Sequence, residues 1–113
     1  MNPLSLTAPL AALYDLAIRE ERVSNIGDLA RRQGGKPQRF HAARRAGDRI
    51  ELTTLAGYAT AAGYVLMLRV TLPGHRLSLG SFVGDLDITV AGFRKGLEAL
   101  GLEMTLGVEE MGR

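Results

Sequence analysis

The chain has no cysteine and no tryptophan, two lysines against twelve arginines, and only six other aromatic residues besides its two histidines. The lack of cysteine removes disulfides, thiolate nucleophiles and every cysteine-based zinc site, and it suits a reducing compartment. With aromatics at 5% the core has to be built from Leu, Val, Ile, Ala and Met. No apolar run approaches the roughly 20 residues of a membrane span. The N-terminal stretch has no basic n-region, and Asp15 interrupts its apolar segment, so the expectation is a cytoplasmic protein with no membrane partner.

What is present is a charge that is unevenly spread. The formal net charge is only +2, yet Arg31, Arg32, Lys36, Arg39, Arg44, Arg45 and Arg49 face a single anion, Asp48, between positions 31 and 49. Seven cations against one anion leave a local excess of six. From Ile50 onward five cations meet seven anions, so the rest of the chain is slightly acidic. Such asymmetry points to one segment that faces a polyanion, although a solvated helix face has the same composition.

Apolar spacing and punctuation divide the chain. Leu10, Leu13 and Ala17, with Leu16 beside them, predict a helix from Pro9 to about Glu21, with Thr7 placed to cap it. Asn25 is a cap for a second helix with Asp28 at its third position, stopped by Gly34-Gly35. Pro37 opens a third, with Phe40 and Ala43 inward and Gly47 as its stop. Leu52 to Ala62 predicts a fourth, with Leu55, Ala59 and Ala62 on one face, Tyr58 flanking and Thr53 as cap.

The period then changes to two. Leu66, Leu68, Val70 and Leu72 predict a half-buried strand, Pro73-Gly74 a turn, and Arg76 to Phe82 a second strand. Val90, Phe93, Leu97 and Leu100 mark an amphipathic helix capped by Asp87 and closed by Gly101. Leu102, Met104, Leu106 and Val108 alternate as a last strand. The expected fold class is α+β. Residues 1–64 would form a four-helix helix-turn-helix bundle, and residues 65–113 a small β-β-α-β layer for dimerisation or partner binding.

Two short helices joined by a glycine turn, the second one basic, are the physical recipe for a helix-turn-helix. The run Leu29-Ala30, Gly34, Phe40, Ala43, a glycine turn, Leu52-Thr53-Thr54-Leu55 and Ala62-Gly63-Tyr64 resembles the Xre/Cro-like family. These are DNA-binding domains of bacterial and phage repressors and of many antitoxins. The likeness covers residues 8 to 72 and is divergent, with Gly35, Pro37 and Arg44 departing from the family's pattern. It implies a repressor-type regulator in which residues 26–33 support a recognition helix over 37–46 in the major groove.

Carried onto this chain, Lys36, Gln38, Arg39, His41, Ala42 and Arg45 are the expected base-reading residues. Gln can bridge adenine N6 and N7, Arg can bridge guanine O6 and N7, and Ala can touch a thymine methyl. Arg31, Arg32, Arg44 and Arg49 are expected on phosphates, where they supply affinity rather than sequence choice. The partner is then double-stranded DNA, a palindromic operator if the protein is a homodimer, with the protein nucleoid-associated when bound. Leu66, Leu68, Val70, Phe93, Leu97, Met104 and Leu106 are the candidate dimer or partner surface. An alternative is an antitoxin or phage-encoded inhibitor whose C-terminal half grips a protein such as a toxin. RNA is the weaker reading, since stacking aromatics are nearly absent from the basic segment.

No catalytic motif emerges. Ser81, His75 and Asp85 can be assembled into a triad on paper, without a nucleophile elbow or other local signature. Two histidines with no carboxylate at ligand spacing make no metal site. No cofactor and no enzymatic activity are expected.

Overall fold

The computed structural model describes residues 1–72, 74 and 87–111, and its elements begin and end where local chemistry meets long-range pairing. The order is β1 (Asn2–Pro3), α1 (Pro9–Arg19), α2 (Ile26–Gln33), α3 (Pro37–Arg45), a 3-10 turn (Gly47–Arg49), α4 (Leu52–Ala61), β2 (Tyr64–Thr71), α5 (Val90–Ala99) and β3 (Glu103–Glu110). The fold is α+β, with a three-stranded antiparallel sheet in the order β1-β3-β2. The expected strand from Arg76 to Phe82 lies outside the described residues, as do Ser81, His75 and Asp85.

Proline sets the start of α1, because its fixed φ suits the first helical turn and its missing N–H is no loss there. Thr7 is not the cap. Its Oγ1 lies 3.1 Å from Ser5 Oγ, and that Ser5 oxygen accepts from the Ala8 N–H at 3.2 Å. The helix ends at Arg19, short of Glu21, which adopts φ +57°. That left-handed residue lets the Arg22 N–H return to the Ala17 carbonyl at 2.8 Å and closes the helix end. Beyond it, Arg22 bonds Glu110 at 2.5 Å and stacks over the Tyr64 ring, while the Tyr64 hydroxyl donates to Glu20. Burial and this carboxylate bond push the Tyr64 hydroxyl up to about 12. The C-terminal end of α1 is thereby tied to one end of the sheet.

The N-caps of α4 and α5 also differ from expectation, for a shared reason. Glu51 and Thr89 form an antiparallel bridge, in which the Leu52 N–H donates to Ile88 O and the Val90 N–H to Ile50 O, both at 2.9 Å. The bridge holds Glu51 extended, so α4 starts at Leu52 with no side-chain cap, one residue before Thr53. It also sets the start of α5, where Thr89 Oγ1 accepts from the Gly92 N–H at 3.0 Å in place of Asp87. Leu100, expected to face inward, is 73% exposed. It is the C-cap of α5, past the last turn, and Gly101 at φ +74° reverses the chain so that the Leu102 N–H reaches Leu97 O.

β2 and β3 pair along their whole length, from Tyr64 opposite Glu110 to Thr71 opposite Glu103. Alternation puts Leu66, Leu68, Met104, Leu106 and Val108 on the face that meets the helices, where all five are buried. Leu72, at the end of the predicted alternation, is exposed beyond the last strand pair. β1 is an element the sequence pattern did not reveal. Its Asn2 and Pro3 pair with Val108 and Gly107, and the Leu4 N–H donates to Leu106 O. One apolar cluster runs from Leu4 through the helices to Val108, so residues 1–64 and 65–113 share a core.

Candidate nucleic-acid interface

The basic segment folds into α2, a turn and α3. Asn25 Oδ1 accepts from the Asp28 N–H at 2.8 Å and caps α2, while Asp28 Oδ2 accepts from the Ser24 N–H at 2.9 Å and ties the entering chain to the first turn. At the other end Gly34 takes φ +92°, and the Gly35 N–H returns to Ala30 O at 2.9 Å. Only glycine adopts that conformation without strain, so the turn between the helices is fixed by sequence. Pro37 then begins α3.

At about 100° per residue, the nine residues of α3 separate into faces. Phe40 is the only fully buried one, its ring edge-on to Tyr14 of α1 and Tyr58 of α4, each at 5.5 Å between centroids. Ala43 is half-buried beside it. Opposite lie Gln38, Ala42 and Arg45, all exposed, and His41, half-buried with its ring edge-on to Phe40 at 6.0 Å. Arg44 and Arg39 occupy the two flanks between these faces. Arg44 lies over the Phe40 ring at 5.9 Å, and Arg39 lies on the side of α2 and α4. Lys36, the N-cap, is exposed and makes no cap bond with its side chain.

The seven cations divide into two groups. Arg31 and Arg32 both reach Asp28 Oδ1, at 2.8 and 3.1 Å. The Ser24 N–H holds the Asp28 carboxyl below its ordinary range; burial opposes this, and Arg32 adds to the lowering. These arginines keep exposed side chains, but one shared carboxylate orients them. Lys36, Arg39, Arg44, Arg45 and Arg49 form no ion pair among the described residues, and all five are exposed. A cleft of about 540 Å³ opens where α2 turns into α3, lined by Gly34, Gly35, Lys36, Gln38 and Arg39.

Comparison with protein-family models, with curated proteins and with solved structures finds no match to this chain. What the segment does therefore has to be argued from its own geometry.

The expected dimer or partner residues are placed differently from the basic ones. Leu66, Leu68, Met104 and Leu106 lie inside the chain's own core and offer no surface. The helices cover the layer that the sequence pattern left bare. Val70, Phe93 and Leu97 pack against that core while remaining half-buried. Among the described residues no group of three His, Asp or Glu side chains is placed to hold a metal, and no helix is long and apolar enough to cross a membrane.

Three residues of the site, Asp28, Gln33 and Tyr58, were not read as belonging to it from the sequence. Asp28 was legible only as a helix-start acid, although its spacing to Arg31 and Arg32 allows both ion pairs. Gln33 and Tyr58 carry Oε1 and hydroxyl groups that are buried with no hydrogen-bond partner among the described residues. Burial pushes the Tyr58 hydroxyl up, and the positive charge of Arg39 opposes that shift. No local pattern signals either residue.

Proposed function

We propose that this chain is a sequence-specific double-stranded DNA-binding protein, a transcriptional regulator of repressor type acting as a homodimer, with α3 as its recognition helix. The observation that carries the reading is the set of five exposed cations, Lys36, Arg39, Arg44, Arg45 and Arg49, without a carboxylate partner among the described residues. Three of them lie on α3, with Lys36 at its N-cap and Arg49 in the turn that follows. Cations gathered along so short a stretch repel one another, and a polyanion relieves that repulsion with release of its counterions. Their carrier has suitable dimensions, since nine residues make a helix about 13 Å long that fits the major groove.

In this arrangement Gln38, His41, Ala42 and Arg45 form the ridge that meets base edges, and Lys36 and Arg39 reach them from the helix start. Arg31, Arg32, Arg44 and Arg49 sit around the rim and engage phosphates. Val70, Phe93 and Leu97 are the part of the expected dimer surface with side-chain area left to give. The reading as an antitoxin or phage inhibitor with a protein-gripping C-terminal half has less support, because four of the seven apolar residues expected to make that grip, Leu66, Leu68, Met104 and Leu106, are buried in the core.

The test is a duplex-DNA titration at two salt concentrations. With four arginine–phosphate contacts per protomer, and so eight in the dimer, log K against log salt should have a slope of about −7.2, so a twofold rise in salt weakens binding roughly 150-fold. A variant carrying Gln38→Ala and Arg39→Ala should lose preference among sequences and keep most of that slope. Affinity indifferent both to salt and to these substitutions overturns the proposal.

A further inference from the structure

Arg39 stands on a flank of α3 rather than on its outward ridge, and what surrounds it there is unusual. The Gln33 amide, from the last residue of α2, occupies the space between α4 and the α2–α3 turn. Two glycines leave that space open. A methyl group added at Gly57 would stand 3.5 Å from Gln33 Nε2, and one at Gly35 would stand 3.1 Å from Gln33 Oε1. The same point over Gly35 is 3.4 Å from Arg39 Cδ and 3.8 Å from its Nη1. A shielded carbonyl oxygen and a guanidinium thus face one gap, which the missing side chain of Gly35 creates.

The oxygen has no hydrogen-bond partner among the described residues, and neither has the buried Tyr58 hydroxyl, which also senses the Arg39 charge. A buried acceptor left without a donor is costly, and native folds keep few of them. Arg39 carries five N–H donors in a rigid fork, of which a guanine edge uses two. A donor remains to face the protein.

We propose that Gln33 is a specificity-determining positioning residue: its Oε1 accepts an N–H of Arg39 across the Gly35 gap and sets the guanidinium plane for bidentate contact with guanine. This rests on the DNA-binding reading above. In the free protein the acceptor waits unpaired, and engagement of Arg39 with a base brings the donor to it. Gly35 is part of the device: its backbone is not in the left-handed region, so alanine is not strained there by its own φ, and its Cβ, 3.1 Å from Gln33 Oε1, fills the gap and presses that oxygen aside.

The experiment is selection from a random-sequence duplex pool by the intact chain, followed by sequencing, with thermal melting of each variant. The wild type should enrich a site in which one guanine preference, roughly tenfold, disappears in Arg39→Ala. Gln33→Met, which keeps the length and removes the acceptor, should lose that same preference while leaving the salt dependence unchanged. Because it also removes an unpaired buried group, its melting temperature should hold or rise. Gly35→Ala should lose the preference too, and Gln33→Glu, which restores an acceptor, should recover it at lower overall affinity.

If Gln33→Met keeps the guanine preference within twofold of wild type while Arg39→Ala loses it, the positioning role is wrong and the DNA reading stands. A lowered melting temperature with uniform loss across all sequences makes Gln33 merely structural and equally overturns the inference. Enrichment of no sequence by the wild type removes the DNA reading and this inference together.

Discussion

Phe40 carries the attachment of α3 to the rest of the molecule, and replacing it gives a sharp measure of that dependence. It is fully buried, the only such residue in its helix, and its ring meets Tyr14 and Tyr58 edge-on. Truncation to alanine removes a ring from a packed site and should cost about 4 kcal/mol. For 113 residues the entropy of unfolding is about 0.24 kcal/mol per kelvin, so that cost lowers the melting temperature by roughly 15 °C. Leucine keeps most of the volume but loses the edge contacts with Tyr14, His41 and Tyr58, which should cost about 1–2 kcal/mol and lower melting by roughly 5 °C. The loss should also be local. His41 and Ala43 are half-buried and the remaining residues of α3 are exposed, so amide hydrogens of α3 should exchange faster in Phe40→Leu than those of α1 or α4. Circular dichroism melts and amide exchange read by mass spectrometry decide the matter. A fall of less than about 5 °C in Phe40→Ala, or exchange that quickens equally in all helices, refutes the view that one ring fastens α3.

Two further substitutions probe the ends of the neighbouring helices. Glu21→Gly should raise stability by about 1 kcal/mol, because Glu21 sits at φ +57° where a side chain is strained; a lower melting temperature speaks against strain there. Asp28, whose folded pKa is lowered, stabilises the protein above its unfolded value near 3.8, and that contribution is lost as pH falls through the lower folded value. Asp28→Asn should therefore flatten the acid limb of stability against pH, and an acid limb of undiminished slope in the variant places the titrating group elsewhere.

Much of the helical half was legible because its signals are local. Pro9, Asn25, Gly34 and Pro37 each impose a backbone geometry on their own neighbours: α1 and α3 begin at the prolines, and α2 begins after Asn25 and ends at Gly34. Apolar spacing likewise found Phe40, Leu55 and Ala59, which are buried as expected. The strands over Leu66, Leu68, Met104 and Leu106 were readable from alternation, but alternation says only that a face is covered, not by what. The helices of the same chain cover it, which is why those residues were misassigned to an interface between chains.

The remainder depended on partners far away in sequence. The caps at Thr53 and Asp87 failed because a bridge between Glu51 and Thr89 fixes both helix starts. β1 is two residues long and has no period of its own; it is a strand only because β3 offers it an edge. The sequence by itself determined where charge accumulates, which turn joins α2 to α3 and which ring α3 buries, since composition and single-residue backbone preferences act at short range. Only the tertiary structure decided that Arg39 lies near Gln33 Oε1 and the Tyr58 hydroxyl, which have no hydrogen-bond partner among the described residues, and that Leu66, Leu68, Met104 and Leu106 are already covered. Those facts rest on distances between side chains on different elements, which packing sets and no local pattern encodes.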